Sequence, residues 1–391
     1  MMVLGGLAGN AAAYIDPGTG SMLFTLVIGL LSAGYFFMRK LVIRMKFAAS
    51  GGGKARQSER MSYVIFSDDK RYWNVFKPVC DEFERRGIDV AYWTASADDP
   101  ALEESYEHVS CEFVGEGNKG FARLNMMASD VCLATTPGLG VYQWKRSKEV
   151  STYVHVLHSV DTAAGYRMFG LDYYDAVLLP GAFMEDEIRA LEEMRGIARK
   201  DVAVVGCTYL DSMAARAKEE SHELGSDERT VLLAPSWGSS AILSVYGERI
   251  IRALVETGYH VIVRPHPQSM TSEREMIDRL MVAYPAGSGV EWNFDTDNFA
   301  VPSRTDVTIT DFSGIIYDYA LVFDRPVIYA EGSFDPAEYD AAWFDEPLRK
   351  FEHFPFMGIP LKEDQLDHMR EVLDSAADEK SPAVVFGRRA W

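Results

Sequence analysis

Beyond residue 60 the chain alternates short apolar runs with longer stretches of amphipathic spacing. Tyr63-Val64-Ile65-Phe66 precedes a helical pattern over residues 74–86, which Gly87 closes. The strand-like pattern recurs at residues 89–93, 130–134, 152–157, 176–179 and 202–205. A second series follows at 230–233, 260–263, 307–309 and 326–329, again with helical spacing between the runs. Runs of aliphatic residues without polar alternation suit strands covered on both faces. Their alternation with helices predicts mostly parallel sheets. The charged stretch 214–229, with Glu219, Glu220 and Asp227, separates the two series. The expected fold class is therefore α/β, with two Rossmann-like domains, 61–215 and 216–391, facing a cleft.

Residues 1–60 follow a different pattern. From Pro17 to Met38 no residue is charged, and the run includes Met22-Leu23-Phe24-Thr25-Leu26-Val27-Ile28-Gly29-Leu30-Leu31. About 20 apolar residues span a bilayer as a helix, and a buried core helix would show a polar face that this run lacks. Tyr35, Phe36 and Phe37 stand just before Arg39-Lys40, as interface anchors do on the cytoplasmic side. No Lys or Arg precedes the run, which argues against a cleaved signal peptide. The expectation is one N-terminal transmembrane helix with the body on the cytoplasmic side of the cell membrane. Residues 48–60 read as a flexible basic linker able to rest on anionic lipid.

Charge sharpens this division. The 391 residues carry a net charge of −19. Residues 1–60 hold seven Lys/Arg against Asp16 and Glu59, or +5, which leaves −24 for the rest. So acidic a body argues against nucleic acid as a partner and places any contact with an anionic surface near the N-terminus. Cys80, Cys111, Cys132 and Cys207 are far apart and form no CxxC pair. That spacing predicts neither a zinc site nor a disulfide framework, but reduced thiols.

Three strand ends in the second series carry unusual turn chemistry: Ala234-Pro235-Ser236-Trp237-Gly238, Arg264-Pro265-His266-Pro267 and Thr310-Asp311-Phe312-Ser313-Gly314. In a parallel doubly wound sheet the strand C-termini share one edge, where ligands bind. A helix starting at Ser313-Gly314 would offer backbone N–H groups to a phosphate, although Asp311 or Ser313 could equally cap it. Ser236 reads as a ligand contact or as a plain turn residue. The two prolines around His266 would hold its imidazole for a ligand or simply stiffen a turn. Arg264 suits a phosphate or a salt bridge.

In the first series His158 follows a strand and precedes Ser159-Val160-Asp161, which places it at the same kind of edge. Imidazole is well matched to proton transfer near neutral pH. His155, inside the strand, reads as structural. Gly115-Glu116-Gly117-Asn118-Lys119-Gly120 matches a dinucleotide fingerprint but lacks the first-strand context and the acidic ribose ligand. Asp295-Thr296-Asp297 matches a metal-binding D-x-D, a triplet that chance supplies among 58 acidic residues. No metal site and no cofactor are expected.

Pro235-Ser236-Trp237, His266-Pro267 and Thr310-Asp311-Phe312-Ser313, in that order, resemble the motifs of the CDP-glycerol glycerophosphotransferase family of wall teichoic acid synthesis. Tyr317-Asp318-Tyr319-Ala320, Arg325-Pro326-Val327, the stretch 335–339, Leu157-His158-Ser159 and the turn 206–211 extend the likeness over residues 62–375. The resemblance implies a GT-B-type fold, a CDP-glycerol or related CDP-polyol donor, CMP as leaving group and no metal. It assigns His158 as the base and His266 with Ser313 as pyrophosphate-binding groups. Catalysis is thus expected of His158 and His266, and donor binding of Ser236, Arg264, His266, Thr310, Asp311, Ser313 and Gly314. Three positions depart from the pattern. Ser159 replaces a glycine, Ala163 falls near a missing lysine, and Gly314 replaces a second serine.

The combined expectation is a membrane-anchored enzyme that moves glycerol phosphate, or a similar polyol phosphate, to a hydroxyl of a lipid-linked glycan or polymer. The alternatives are a nucleotide-sugar glycosyltransferase or epimerase of the same architecture, and a catalytically weak, membrane-tethered binding subunit.

Overall fold

A computed structural model describes residues 34–35, 37–42, 45, 60–220, 229–295, 297–325, 327–332 and 334–378. Contacts divide the chain into Met1–Lys54 and Ala55–Trp391, and the fold below is that of the second unit. The expected transmembrane helix lies almost wholly outside the described residues: of 17–38 only Gly34, Tyr35, Phe37 and Met38 are described, as helix. Among the described residues no helix is long and apolar enough to cross a membrane.

Two all-parallel sheets form the body. The first contains β1 (Met61–Ser67), β2 (Val90–Thr94), β3 (Val109–Phe113), β4 (Ser129–Ala134), β5 (Val150–Val156), β6 (Ala176–Leu179) and β7 (Asp201–Val204), in the order β3-β2-β1-β4-β5-β6-β7. The second contains β8 (Thr230–Leu233), β9 (His260–Val263), β10 (Val290–Trp292), β11 (Val307–Thr310), β12 (Val327–Ala330) and β13 (Gly358–Leu361), in the order β10-β9-β8-β11-β12-β13. Both orders reverse beside the first strand of the half, between β1 and β4 and between β8 and β11. In doubly wound sheets the loops leaving the strands at such a reversal splay apart and form the ligand crevice.

Local chemistry explains the elements. Val64, Ile65 and Phe66 are fully buried or nearly so, as a central strand with helices on both faces requires. The helix Trp73–Arg86 ends where Gly87 turns to φ 66°; its N–H reaches Glu84 O, and the Ile88 N–H reaches Phe83 O. This left-handed cap costs glycine little. The helix Thr208–Glu219 runs into the start of the charged stretch 214–229 that separates the two series. Thr208 Oγ1 donates to Val75 O at 2.7 Å, which anchors that helix on the first half.

The halves are welded rather than merely adjacent. Ile316, Tyr317, Tyr319 and Phe354 of the second half share one apolar cluster with Phe66, Trp144, Tyr153 and Val177 of the first. Val231, Ile250, Leu254, Val261 and Ile309 form a separate core in the second half. A buried ion pair adds a polar joint. Arg195 donates to Asp172 Oδ1 at 2.6 Å and to Asp340 Oδ1 at 2.5 Å, and its guanidinium lies between the rings of Phe169 and Trp343. Asp340 in turn accepts the backbone N–H groups of Phe169 and Gly170.

Candidate functional site

The three turns of the second half converge. Asp311, at the end of β11, is buried, and its carboxylate accepts N–H groups from Ser236 (2.9 Å), Ile242 (2.9 Å) and Ser313 (3.2 Å). One side chain thereby fixes the loop after β8 to the loop after β11. Thr310 reinforces the joint, its buried Oγ1 donating to Ala234 O at 2.7 Å. The loop after β9 reaches the same place, with the His266 ring 6.4 Å from Trp237.

Within this frame the expected donor residues divide into two groups. Thr310 and Asp311 are committed to the loops themselves. So is Arg264, whose Nη2 donates to the carbonyls of Asp295 (2.9 Å) and Asp297 (3.3 Å). Ser236, His266, Ser313 and Gly314 are only partly buried and stand at the edge. Ser313 Oγ also accepts the Ile315 N–H at 3.5 Å, ahead of the short helix Ile315–Asp318 whose N-cap is Gly314. Asp295 and Asp297 serve structure as well. Asn293 donates to Asp295 Oδ2, and Arg216 pairs with Asp297. Among the described residues no group of three or more His, Cys, Asp or Glu side chains is placed to hold a metal ion.

His266 has a defined tautomer. The Gln268 N–H donates to its Nδ1 at 3.1 Å, so Nδ1 is bare and Nε2 carries the proton. Burial, with a smaller contribution from the Arg71 charge, lowers its pKa to about 4. His266 is therefore a neutral N–H donor at physiological pH.

His158 leaves β5 at the facing edge. Its Nδ1 lies 2.7 Å from Thr135 Oγ1, at the end of β4, and 3.5 Å from the Tyr166 hydroxyl. Tyr72 packs its ring 4.9 Å from the imidazole. Burial and then the Arg71 charge lower the His158 pKa to about 4, so it too is neutral. His155 is fully buried, with Nε2 3.0 Å from Tyr166 OH, which is the structural place expected of it.

Arg71, Tyr72 and Lys350 carry no motif, and sequence reasoning passed over them. Arg71 sits in the turn after β1, beside the point where the first sheet reverses. Asp69 accepts its backbone N–H at 3.0 Å and pairs with its guanidinium at 3.2 Å. Its charge reaches imidazoles on both halves. Lys350, in the helix Arg349–Met357, is buried between Asp161 and the Phe312 carbonyl. An ammonium therefore reaches the loop that lacks a lysine at Ala163. The one sequence signal for Arg71 was its position after the first strand of a doubly wound half.

Two departures from the family pattern meet in space. A Cβ added at Gly314 would lie 3.2 Å from Ser159 Oγ, so glycine on one side makes room for the hydroxyl on the other. Gly314 itself has ordinary helical φ of −61°, which leaves sterics as the reason. Gly314→Ser alone should therefore overpack the joint and destabilise the protein by about 1–3 kcal/mol. Adding Ser159→Gly should recover most of that loss, a coupling readable in urea unfolding of the four variants. Strictly additive effects would mean that the two positions do not exclude one another.

Comparison with known proteins agrees with this geometry. Residues 171–343 match the model of the CDP-glycerol:poly(glycerophosphate) glycerophosphotransferase family. No curated protein matches the chain. Among solved structures, the wall teichoic acid polymerase TagF aligns with TM-score 0.52 at 14% identity, covering 91% of this chain and 93% of that one. A histidine-to-asparagine variant of TagF soaked with CDPG aligns with TM-score 0.50 at 11% identity, covering 90% and 92%. The UDP-GlcNAc 2-epimerase of Methanocaldococcus jannaschii aligns with TM-score 0.49 at 14% identity, over 83% and 95%. At these identities the likeness to the two TagF structures speaks for the fold alone, two parallel-sheet domains of GT-B-like type. Motif order and the family match over residues 171–343 support a transferase of the CDP-glycerol glycerophosphotransferase type.

Proposed function

We propose that this transferase moves glycerol phosphate, or a similar polyol phosphate, from CDP-glycerol to a hydroxyl of a lipid-linked glycan or teichoic acid polymer, with release of CMP. The observation that carries the reading is a pair of imidazoles at strand ends, one from each half: His158 beside Thr135 and Tyr166, and His266 with Nδ1 held by the Gln268 N–H beside Trp237. Burial, with a smaller effect of the Arg71 charge, keeps both neutral. Such a pair suits two tasks: taking a proton and steadying an anion.

In the base form His158 donates its Nδ1–H to Thr135 Oγ1 and keeps a lone pair on Nε2. Nε2 takes the acceptor's hydroxyl proton as the oxygen bonds to the β-phosphorus. The bond from that phosphorus to the bridging oxygen breaks, and its electrons leave with CMP. Negative charge grows on the pyrophosphate oxygens, where His266 Nε2–H, Ser313 and Ser236 donate and Arg71 supplies positive charge. Gly314 permits close approach, while Thr310, Asp311 and Arg264 hold the loops. Phosphoryl transfer depends mainly on such positioning and electrostatics.

We also propose that the apolar run 17–38 anchors the enzyme in the membrane, with the body on the cytoplasmic side and the basic linker on anionic lipid. This rests on the 22 uncharged residues and the Arg39-Lys40 pair that follows them. Deleting residues 1–48 should yield a folded protein that remains in the supernatant after ultracentrifugation. Pelleting with membranes in high salt would mean that apolar surface on the body holds it there.

The two histidines should separate kinetically. His266→Ala should weaken CDP-glycerol binding in calorimetry and slow transfer by about 10²–10³. His158→Ala should leave donor affinity nearly intact and cut single-turnover CMP release by about 10²–10⁴. Protonation blocks His158 as a base but leaves His266 an Nε2–H donor, so the acid limb belongs to His158. In the free enzyme kcat/KM should hold steady down to about pH 5 and fall as pH drops through about 4, well below an ordinary imidazole near 6.5. The residual activity of His158→Ala should lack that limb. Loss of donor binding in His158→Ala, or full turnover, would remove the base assignment.

A further inference from the structure

Lys350 and Asp161 lie outside the matched segment 171–343, and the mechanism above uses neither. Lys350 is 4% exposed, and its Nζ lies 3.2 Å from Asp161 Oδ1 and 3.3 Å from Oδ2. The same Nζ donates to the Phe312 carbonyl at 3.1 Å. Three rings, Phe312, Phe334 and Phe351, surround the ammonium at 5.3 to 6.0 Å. The two polar partners belong to different loops of the site. Asp161 follows His158 by three residues on the first half, and Phe312 directly precedes Ser313 on the second.

We infer that Lys350 and Asp161 are positioning residues that set the reach of His158 toward the donor phosphates. The inference rests on the glycerophosphate-transfer reading of the site. The two loops approach closely where Ser159 faces Gly314, since an added Cβ there would lie 3.2 Å from Ser159 Oγ. That proximity limits further closing, and the ammonium limits parting. Together they fix the separation of the imidazole from the Ser313 turn. Both residues act through others, since the buried Lys350 ammonium is met by protein atoms.

A displacement of about 1 Å between reacting groups costs on the order of 10²-fold in rate. Removing one member of a buried pair also destabilises, because the other charge is left without a partner. The double variant Lys350→Met/Asp161→Asn avoids this, as neither charge then remains. Its stability in urea unfolding should return toward that of the wild type, while single-turnover CMP release should stay about 10²-fold slow. CDP-glycerol affinity by calorimetry should change little, because the donor contacts are intact. Lys350→Arg, which keeps a cation at the joint, should recover part of the rate.

A double variant with wild-type turnover would overturn the inference. So would a loss of donor affinity in step with the loss of rate, which would make Lys350 a donor contact. Wild-type protein in the same assay separates the two levels. An active wild type with an equally active double variant refutes the tie alone, whereas a wild type inert toward CDP-glycerol refutes the transfer reading and the tie with it.

Discussion

The buried carboxylate of Asp311 is the group on which the donor side of the site depends. Burial alone would favour its neutral form, and its pKa is raised to about 6 even though three backbone N–H groups oppose the shift. Those N–H groups belong to Ser236, Ser313 and the first residue of the helix Ile242–Tyr246. The turn after β8 and the turn after β11 flank the crevice where the sheet order reverses, and neither has regular structure to hold it. A hydrogen bond to a charged group contributes about 1.5–3 kcal/mol, and three of them converge on one side chain. Ser313 and Ser236 are presented to the cleft as a consequence.

The second constraint is electrostatic. On the proposed reading a body carrying net negative charge receives a pyrophosphate, which requires positive charge where the donor binds. Arg264 is spent on carbonyls, and Lys350 on Asp161 and Phe312. Arg71 is half exposed at its side chain and influences both imidazoles. Two neutral histidines do not add charge of their own, but each offers one ring nitrogen in a fixed role. The proposed division of labour between them follows from their neighbours. A backbone N–H at Nδ1 leaves His266 Nε2 the donor, while the Thr135 hydroxyl at Nδ1 is compatible with a bare Nε2 on His158.

The central strands of both sheets were legible because their burial on two faces demands unbroken aliphatic runs. β3, β10 and β13 escaped notice for the converse reason. They are edge strands, covered less completely, and read Val-Ser-Cys-Glu-Phe, Val-Glu-Trp and Gly-Ile-Pro-Leu. In the last of these Pro360 withholds a ladder donor, which an edge tolerates. The convergence of the turns was legible where turn chemistry and motif order coincide, at Ser236, His266 and Ser313. Arg71 and Lys350 were not, since a lone cation in an acidic chain gains meaning only from what the fold brings beside it. Thr310, Asp311 and Arg264 lay in the right turns, yet their side chains face inward, a distinction that spacing does not encode. The pairing of Ser159 with Gly314 spans 155 positions of sequence and required coordinates.

The central claim is that the β-phosphoryl group of a CDP-linked polyol is transferred to a hydroxyl. Phosphorus NMR of CDP-glycerol incubated with the full-length protein and bacterial membrane acceptor tests it directly. The coupled pyrophosphate resonances should decay together and be replaced by one phosphomonoester signal, from CMP, and one phosphodiester signal, from the extended acceptor. Persistence of the pyrophosphate pair, with UDP-sugars consumed in its place under the same conditions, would contradict the account and return the site to nucleotide-sugar chemistry.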